Sequence, residues 1–358
     1  MSNNSPAFSR FEINMNRGDA LPIYPLQYPD NHGSGVALVG DYVANDFVDH
    51  HTNRDSSFRD RWMIVSTTQS DAVPHSVDKV DLNLFSNQEG VQQYLEGAAG
   101  RVPYSLDIAD GLFVDPELFK PAEEPVPQDY DLLYVAKWYP TKETDLLLDV
   151  ATDRPDIRIG LYGWLMASER KRAESQAYRE HILGRAATLP NVITFDTEDF
   201  SHQENHTNPD GSVVLGPLSK KQMRDSFYYR SGVSMFLSAK TEAVNRSTVE
   251  MTMCDKPSIV ALPTSGGMER FMTDKTTVFC ERTPKGIIRA YDTIKSGDLE
   301  LSPRASMLEI AGREKTNDKL QKIVQSAAEQ SGRQLSEQAW NTYGGDLWTT
   351  PETYGTIR

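Results

Sequence analysis

In the second half of the chain, apolar residues fall in short unbroken runs separated by stretches where they recur every three or four positions. Val233, Met235, Phe236 and Leu237 form one run, closed by Ser238, and residues 258–262 (SIVAL) form another. Runs of this length with polar ends predict strands buried on both faces, as in a parallel sheet. Between them Asn245 suits a helix N-cap, and 246–254 places Val249 and Met253 four apart on one face. Asp255-Lys256-Pro257 ends that helix, and Ser265-Gly266-Gly267 makes a turn before Glu269. This is one strand–helix–strand unit. The same alternation predicts strands over 130–136, 157–162, 191–195 and 277–280, with helices over 144–150, 168–187, 219–229 and 284–295. Residues 305–331 read as mostly helical. A parallel α/β sheet of about six strands follows.

The first half repeats the pattern less regularly. Residues 62–66 (WMIVS) and 79–86 (KVDLNLFS) predict buried strands, with a helix over 87–95. Residues 1–30, with Pro22, Pro25 and Pro29, read as an extended arm carrying one strand near 20–26. Asn31-His32-Gly33-Ser34-Gly35 then leads into VALVGDYVANDFV, where Val39, Tyr42, Val43 and Phe47 at helical spacing predict a helix. That glycine loop is either a phosphate contact or a flexible turn. Glu123-Glu124-Pro125-Val126-Pro127 has the charge and proline of a linker, giving a first domain over 1–127 and a second over 128–330.

At 358 residues, two domains of ordinary size fit. The net charge of −14 offers no field for a polyanion, so nucleic acid or an anionic membrane needs a local basic patch. Glu169-Arg170-Lys171-Arg172 reads as a solvated helix face instead. Cys254 and Cys280 lack metal-type spacing and are expected as buried free thiols in a reducing compartment. The polar start carries no signal-peptide pattern and no run approaches membrane-spanning length, so a cytoplasmic enzyme is expected. Residues 196–214 are polar and read as a surface insertion. His202 and His206 lie four apart there without helical periodicity around them, so a hydrated loop is expected and not a metal site.

The candidate chemistry centres on Glu242, at the end of the strand run, and Glu250, on the second turn of the following helix. In a strand–helix–strand unit the strand's carboxyl end and the helix's amino end face one crevice, where backbone N–H groups and the helix dipole attract an anion such as a diphosphate. A carboxylate farther along the helix suits vicinal hydroxyls, as a ribose presents, and the loop carboxylate suits a hydroxylated ring. These residue types fit a nucleotide-sugar better than a bare nucleotide. With 51 acidic residues in the chain, two merely exposed glutamates are the plain alternative.

Glu242-x7-Glu250, followed by CDKPSIV and by Gly266-Gly267-Met268-Glu269, resembles the C-terminal domain of retaining GT-B glycosyltransferases of the family 4 type. Other segments resemble the same family: Asp110 to Phe119 its N-G-V-D…F segment, and Gly216-Pro217-Leu218-Ser219 its G-x-L-S segment. Family members read E-G-F-G where this chain has Glu242-Ala243-Val244-Asn245, and G-R-x-x-x-x-K where it has Lys137 and Lys142. Lysine neutralises phosphate as a point charge without arginine's bidentate fork.

The resemblance implies an α/β GT-B fold, two Rossmann-like domains with parallel sheets facing a central cleft. The first domain is shortened, and a tail over 331–358, with Trp340 and Trp348, crosses back to it. It implies transfer of a sugar from a nucleotide-diphosphate sugar (UDP- or GDP-type) to an acceptor hydroxyl with retention of anomeric configuration. No metal and no permanently bound cofactor are implied. Lys137, Lys142, Glu242, Asn245, Arg246, Ser247, Glu250 and Gly163 correspond to the donor site, with Glu242, Lys142 and Lys137 nearest the chemistry. Gly33 and Gly35 correspond to the N-terminal glycine loop, and His32 and His75 are the candidates for an assisting histidine. The acceptor is a saccharide, lipid, small molecule or modified nucleic acid. Two other readings share the architecture: a GT-B sugar-nucleotide enzyme of epimerase type, and a catalytically idle binding or scaffold protein.

Overall fold

A computed structural model describes residues 21–67, 79–84, 103–105, 107–165, 169–197, 206–207, 213–214, 218–238, 244–264, 268–343 and 348–349. In chain order its elements begin with strand β1 (Leu21–Gln27), strand β2 (Gly35–Gly40), helix α1 (Asp41–Arg54) and the short helix α2 (Phe58–Arg61). Strands β3 (Trp62–Thr67), β4 (Leu82–Leu84) and β5 (Tyr104–Ser105) follow. Then come strand β6 (Tyr130–Lys137), helix α3 (Asp145–Asp153), strand β7 (Ile159–Trp164), helix α4 (Glu169–Ala186) and strand β8 (Val192–Thr197). Two short strands, β9 (His206–Thr207) and β10 (Val213–Val214), precede helix α5 (Lys220–Met223) and strand β11 (Ser231–Phe236). The chain continues with helix α6 (Arg246–Met253), strands β12 (Ser258–Leu262) and β13 (Thr277–Glu281), and helices α7 (Pro284–Ser296), α8 (Pro303–Ile310) and α9 (Arg313–Gln330). Strand β14 (Trp348–Thr349) comes last.

Two compact units result, Met1–Val114 with Ala311–Arg358, and Asp115–Ile310. The division therefore falls before the proline-rich stretch 123–127, and α9 belongs with the first unit. Side-chain packing gives the reason. Leu320, Val324, Ala327 and Ala328 of α9 bury in one core with Leu26, Val36, Leu38, Met63 and Val65. Arg313 N and Thr316 Oγ1 donate to Val114 O and Leu112 O. Residues 116–119 are held in the second unit by guanidinium groups: Arg304 donates to Pro116 O and Phe119 O, and Arg224 to Leu118 O. Composition marks a stretch as linker-like, but such long-range donors decide where it is anchored.

In the first unit the strand order is β14-β1-β2-β3-β4-β5, parallel from β2 to β5 with β1 antiparallel to both its neighbours. The helix expected directly after Gly35 is corrected: residues 35–40 are a fully buried strand, and the helix opens at Asp41 with Gly40 as its N-cap. Unbroken VALV burial on both faces outweighs the 3.6-residue spacing there. The predicted helix 87–95 lies outside the described residues.

In the second unit the order is β13-β12-β11-β6-β7-β8-β10-β9, parallel except for β9. Leu132, Tyr134, Val233, Met235 and Ile259 from its strands bury with Leu147, Leu148, Ile182 and Ile287 from its helices. β9 and β10 fall inside the expected surface insertion and add strands at the sheet's edge. The helix expected over 219–229 is shorter. A Ser219–Gln222 capping box starts α5, and the backbone widens into a π-helical turn, Arg224–Tyr228. Cys254 is buried as expected, whereas Cys280 is only partly buried. Among the described residues no helix is long and apolar enough to cross a membrane.

One contact fixes the chain just beyond β6. The Trp138 indole lies against the bare Cα of Gly163 in β7, where an added Cβ would stand 2.2 Å from Trp138 Cε2. Its Nε1 donates to Asp196 Oδ1 at 2.7 Å, and Arg179 holds the other oxygen of that carboxylate. Ser175 Oγ donates to Trp138 O at 2.6 Å. Gly163→Ala must displace a buried ring and is expected to destabilise the fold by about 1–3 kcal/mol. Gly184→Ala, on an open face of α4 with nothing within 4 Å, should instead stabilise by about 0.5–1 kcal/mol. Urea unfolding of both variants checks the pair; equal shifts would show that the Trp138 contact does not govern the difference.

Candidate functional site

Ligands of open parallel α/β sheets bind outside the carboxyl ends of the strands. In the second unit that edge is where β6 ends at Lys137 and leads through Trp138 and Tyr139 into a 3₁₀ turn, Pro140–Lys142. Glu143 follows in the left-handed region at φ 51°. Tyr134, buried in β6, donates its hydroxyl to Lys142 O at 2.8 Å, which ties the turn back to its own strand. Lys142 is 8% exposed, while Lys137 is exposed at the strand end.

Three further contacts draw neighbouring elements onto this turn. Beyond the end of β11, Ser238 Oγ donates to Thr141 O at 3.3 Å. At the start of α6, the Ser247 hydroxyl lies 3.3 Å from Val135 O in β6 and shares its one proton between that carbonyl and Asn245 Oδ1. Arg282, after β13, donates to Leu237 O, to Ala261 O at 2.6 Å and to Pro263 O, and pairs with Glu143 Oε2 at 2.6 Å. A guanidinium has five donors in a rigid fork, so one side chain bonds three carbonyls from two segments and a carboxylate from a third. Arg282 is mostly shielded from water while the Glu143 carboxylate is about a third exposed, so the pair is only partly buried.

Helix α6 starts as its sequence predicts. Asn245 Oδ1 accepts from Thr248 N at 3.1 Å and from Ser247 Oγ. The amides of the first helical turn point out of the amino end and carry the positive end of the dipole. One turn on, Glu250 is 6% exposed, and Tyr228 from the π-helical turn donates its hydroxyl to Glu250 Oε2 at 2.7 Å. Burial pushes the Glu250 carboxyl above the usual carboxylate range; the Tyr228 hydrogen bond and the positive charges of Arg246 and Lys220 pull the other way. Burial raises the Tyr228 hydroxyl well above its ordinary value, reinforced by the Glu250 charge. Burial likewise pushes the Cys254 thiol up to about 12, so it stays neutral beside Glu250.

The structure therefore gathers Lys137, Lys142, Asn245, Arg246 and Ser247 at one sheet edge, with Glu250 behind them. Gly163 stands beside that edge in β7, but its missing side chain is filled by Trp138. Glu242, His75 and Ser265-Gly266-Gly267 lie outside the described residues.

In the first unit His32 and Gly33 sit just before β2 and Gly35 is its first residue, at the amino end of the parallel strands. The Asp30 carboxylate accepts from His32 N, Gly33 N, Ser336 Oγ and Glu337 N. Partial burial opposes its charge, but those four hydrogen bonds hold its carboxyl down to about 2. A Cβ on Gly33 would stand 2.3 Å from the Leu335 backbone, so this glycine serves close packing of two chain segments. The strand-to-helix junction of this unit is Gly40, a single glycine whose role the sequence does not distinguish from that of Gly33 and Gly35. Tyr228 and Arg282 were also missed; neither carries a local pattern, since their partners lie 22 and up to 139 residues away. Among the described residues no group of three or more His, Cys, Asp or Glu side chains is placed to hold a metal ion. The His206 backbone is part of β9, and His202 lies outside the described residues.

No protein-family model and no curated protein matches this chain. Solved structures do. Sucrose-phosphate synthase from Thermosynechococcus elongatus matches at 13% identity and TM-score 0.58, over 82% of this chain and 74% of that one. The Anabaena protein HepE, solved in complex with UDP and glucose, matches at 14% identity and TM-score 0.58, over 81% and 78%. A glycosyltransferase from Rickettsia africae matches at 12% identity and TM-score 0.55, over 80% and 82%. At these identities the likeness is one of fold, and the fold is GT-B, two Rossmann-like units of mixed α/β structure.

Proposed function

We propose that this chain is a glycosyltransferase that moves a sugar from a nucleotide-diphosphate sugar to an acceptor hydroxyl. The observation that carries the reading is the set of bonds holding the Lys142 turn, the amino end of α6 and the β11 strand end on one sheet edge. That edge offers two ammonium groups and a helix dipole for a diphosphate, with a carboxylate one helical turn behind for a ribose. The shared fold supports it, since HepE is solved with UDP-glucose and the Rickettsia africae structure is a glycosyltransferase.

In this reading the diphosphate lies across Lys137, Lys142 and the first turn of α6, with Asn245, Arg246 and Ser247 at its edge. Glu250 accepts from the ribose, and Glu242 stands by the transferred sugar. Lysine charge and backbone amides stabilise the departing diphosphate without a metal. The configuration is retained because the acceptor oxygen attacks the anomeric carbon from the leaving-group face while a phosphate oxygen of the departing diphosphate takes the acceptor's proton. The Glu242-x7-Glu250 spacing in the sequence supports reading the chain as one of the family 4 type of such enzymes.

A thermal-shift screen against UDP, GDP, ADP and TDP tests the reading directly. One of them should raise the melting temperature, since a ligand at about a hundred times its Kd adds about 2.7 kcal/mol of apparent stability. No shift with any of the four at millimolar concentration would remove the donor site from this edge.

Lys142→Ala should weaken the bound nucleoside diphosphate by about tenfold or more while leaving the free nucleoside within about twofold, because the proposed partner of the ammonium is phosphate. Calorimetry with both ligands reads the difference, and equal losses would detach Lys142 from the diphosphate.

Glu242→Gln should keep diphosphate affinity within about threefold and lower turnover by about two orders of magnitude, measured with EDTA present. A carboxylate beside the anomeric carbon acts where positive charge develops in the transition state, so its loss shows in the rate. Normal turnover by the variant would make Glu242 a structural residue of its loop.

A further inference from the structure

Glu250 is a carboxylate with almost no access to water, which is costly unless donors surround it. Among the described residues a single hydrogen bond reaches it, from the hydroxyl of Tyr228 to Oε2 at 2.7 Å, and Oε1 accepts none. Tyr228 is 1% exposed, and among the described residues the hydrogen bond of its phenol goes to this carboxylate. The two groups sit on different elements. Glu250 is on the second turn of α6, and Tyr228 ends the π-helical turn Arg224–Tyr228. A π-turn inserts an extra residue into the helical repeat and re-aims the side chains after it, and such turns concentrate at functional sites. Ser231 Oγ donates to Tyr228 O at 2.9 Å and Phe119 packs on its ring at 6.0 Å, so the phenol has little rotational freedom.

We infer that Tyr228 is the positioning residue for Glu250, engaging Oε2 so that Oε1 is presented in one orientation to a single ribose hydroxyl. This rests on the donor site proposed above. A carboxylate with both oxygens open suits two vicinal hydroxyls; with one acceptor site of Oε2 taken by the phenol and the carboxylate plane fixed by it, Oε1 is the oxygen left clear for a sugar hydroxyl. The chain then distinguishes ribose from deoxyribose through a residue that touches neither. Charge also enters. Arg246 and Lys220 supply positive charge to Glu250, while Cys254 and Tyr162 are the other titratable groups facing the pair. Tyr228 lowers the proton affinity of a carboxyl that burial raises. Without its hydroxyl, Glu250 holds its proton to higher pH and stops accepting from the sugar there.

The test is calorimetry on the full chain with UDP, GDP and ADP, each against its 2′-deoxy and 3′-deoxy counterparts, using the base that binds tightest. The wild type should favour ribose over one of the two deoxy forms by about tenfold, the worth of one hydrogen bond to a charged acceptor. Glu250→Gln should reduce that ratio severalfold. Tyr228→Phe should reduce it comparably while leaving the preference for diphosphate over nucleoside unchanged, and its ratio should decay at higher pH than the wild type's on acidification. The Tyr228→Phe/Glu250→Gln double variant should lose no more than Glu250→Gln. A purely structural tyrosine would lower the melting temperature and weaken all ligands alike with the ratio and its pH profile intact, and that result overturns the inference. If Glu250→Gln leaves the ratio unchanged, the ribose assignment fails first and the inference with it. If Glu250→Gln lowers the ratio and Tyr228→Phe does not, the donor site stands and only the positioning role is lost.

Discussion

The guanidinium of Arg282 is the constraint on which the candidate site depends. Carbonyls beyond the carboxyl ends of parallel strands have no ladder partner, and in a buried edge each is a liability. Arg282 takes Leu237 O after β11 and Ala261 O and Pro263 O around the end of β12, and its charge is balanced by Glu143. Glu143 directly follows Lys142 and adopts left-handed backbone, so the same ion pair fixes the turn that carries the lysine. The ends of β11 and β12 and the cationic turn are thereby held together, and a separate contact from Ser247 to Val135 O ties in the start of α6.

Behind that edge the Glu250–Tyr228 pair shows the opposite economy. Arg282 satisfies many acceptors with one charge, whereas Glu250 is left with one neutral donor and its charge opposed by burial. A buried carboxylate so sparsely bonded is held in place by the packing of α6 and the π-turn, and burial magnifies whatever further donor it meets. Stability alone gives little reason to keep an ionisable group there, and a buried carboxylate of this kind is suited to binding.

Much of the second unit was legible in the sequence because its strands are buried on both faces and therefore spelled as unbroken apolar runs. The β11–α6–β12 unit falls at its expected residues, down to the Asn245 cap, since capping is a matter of residues three apart. The first unit was less legible. There a buried strand, residues 35–40, runs into a helix with only Gly40-Asp41 to mark the join, and the helical spacing through Val39, Tyr42, Val43 and Phe47 crosses it.

By itself the sequence determined what local chemistry determines: the alternation of strand and helix, the caps, the turn glycines, and the lysines and glutamates set at strand ends and helix starts. The tertiary structure decided what depends on partners far along the chain. It assigned α9 to the first unit because its apolar face buries with β1 to β4, and it gave Gly163 to the Trp138 indole. It also gave Glu250 a phenol from a different helix and the strand ends an arginine from beyond β13. Each of these joins residues that no spacing rule connects, because a hydrogen bond or a packed ring constrains positions in space and leaves no periodicity in the chain.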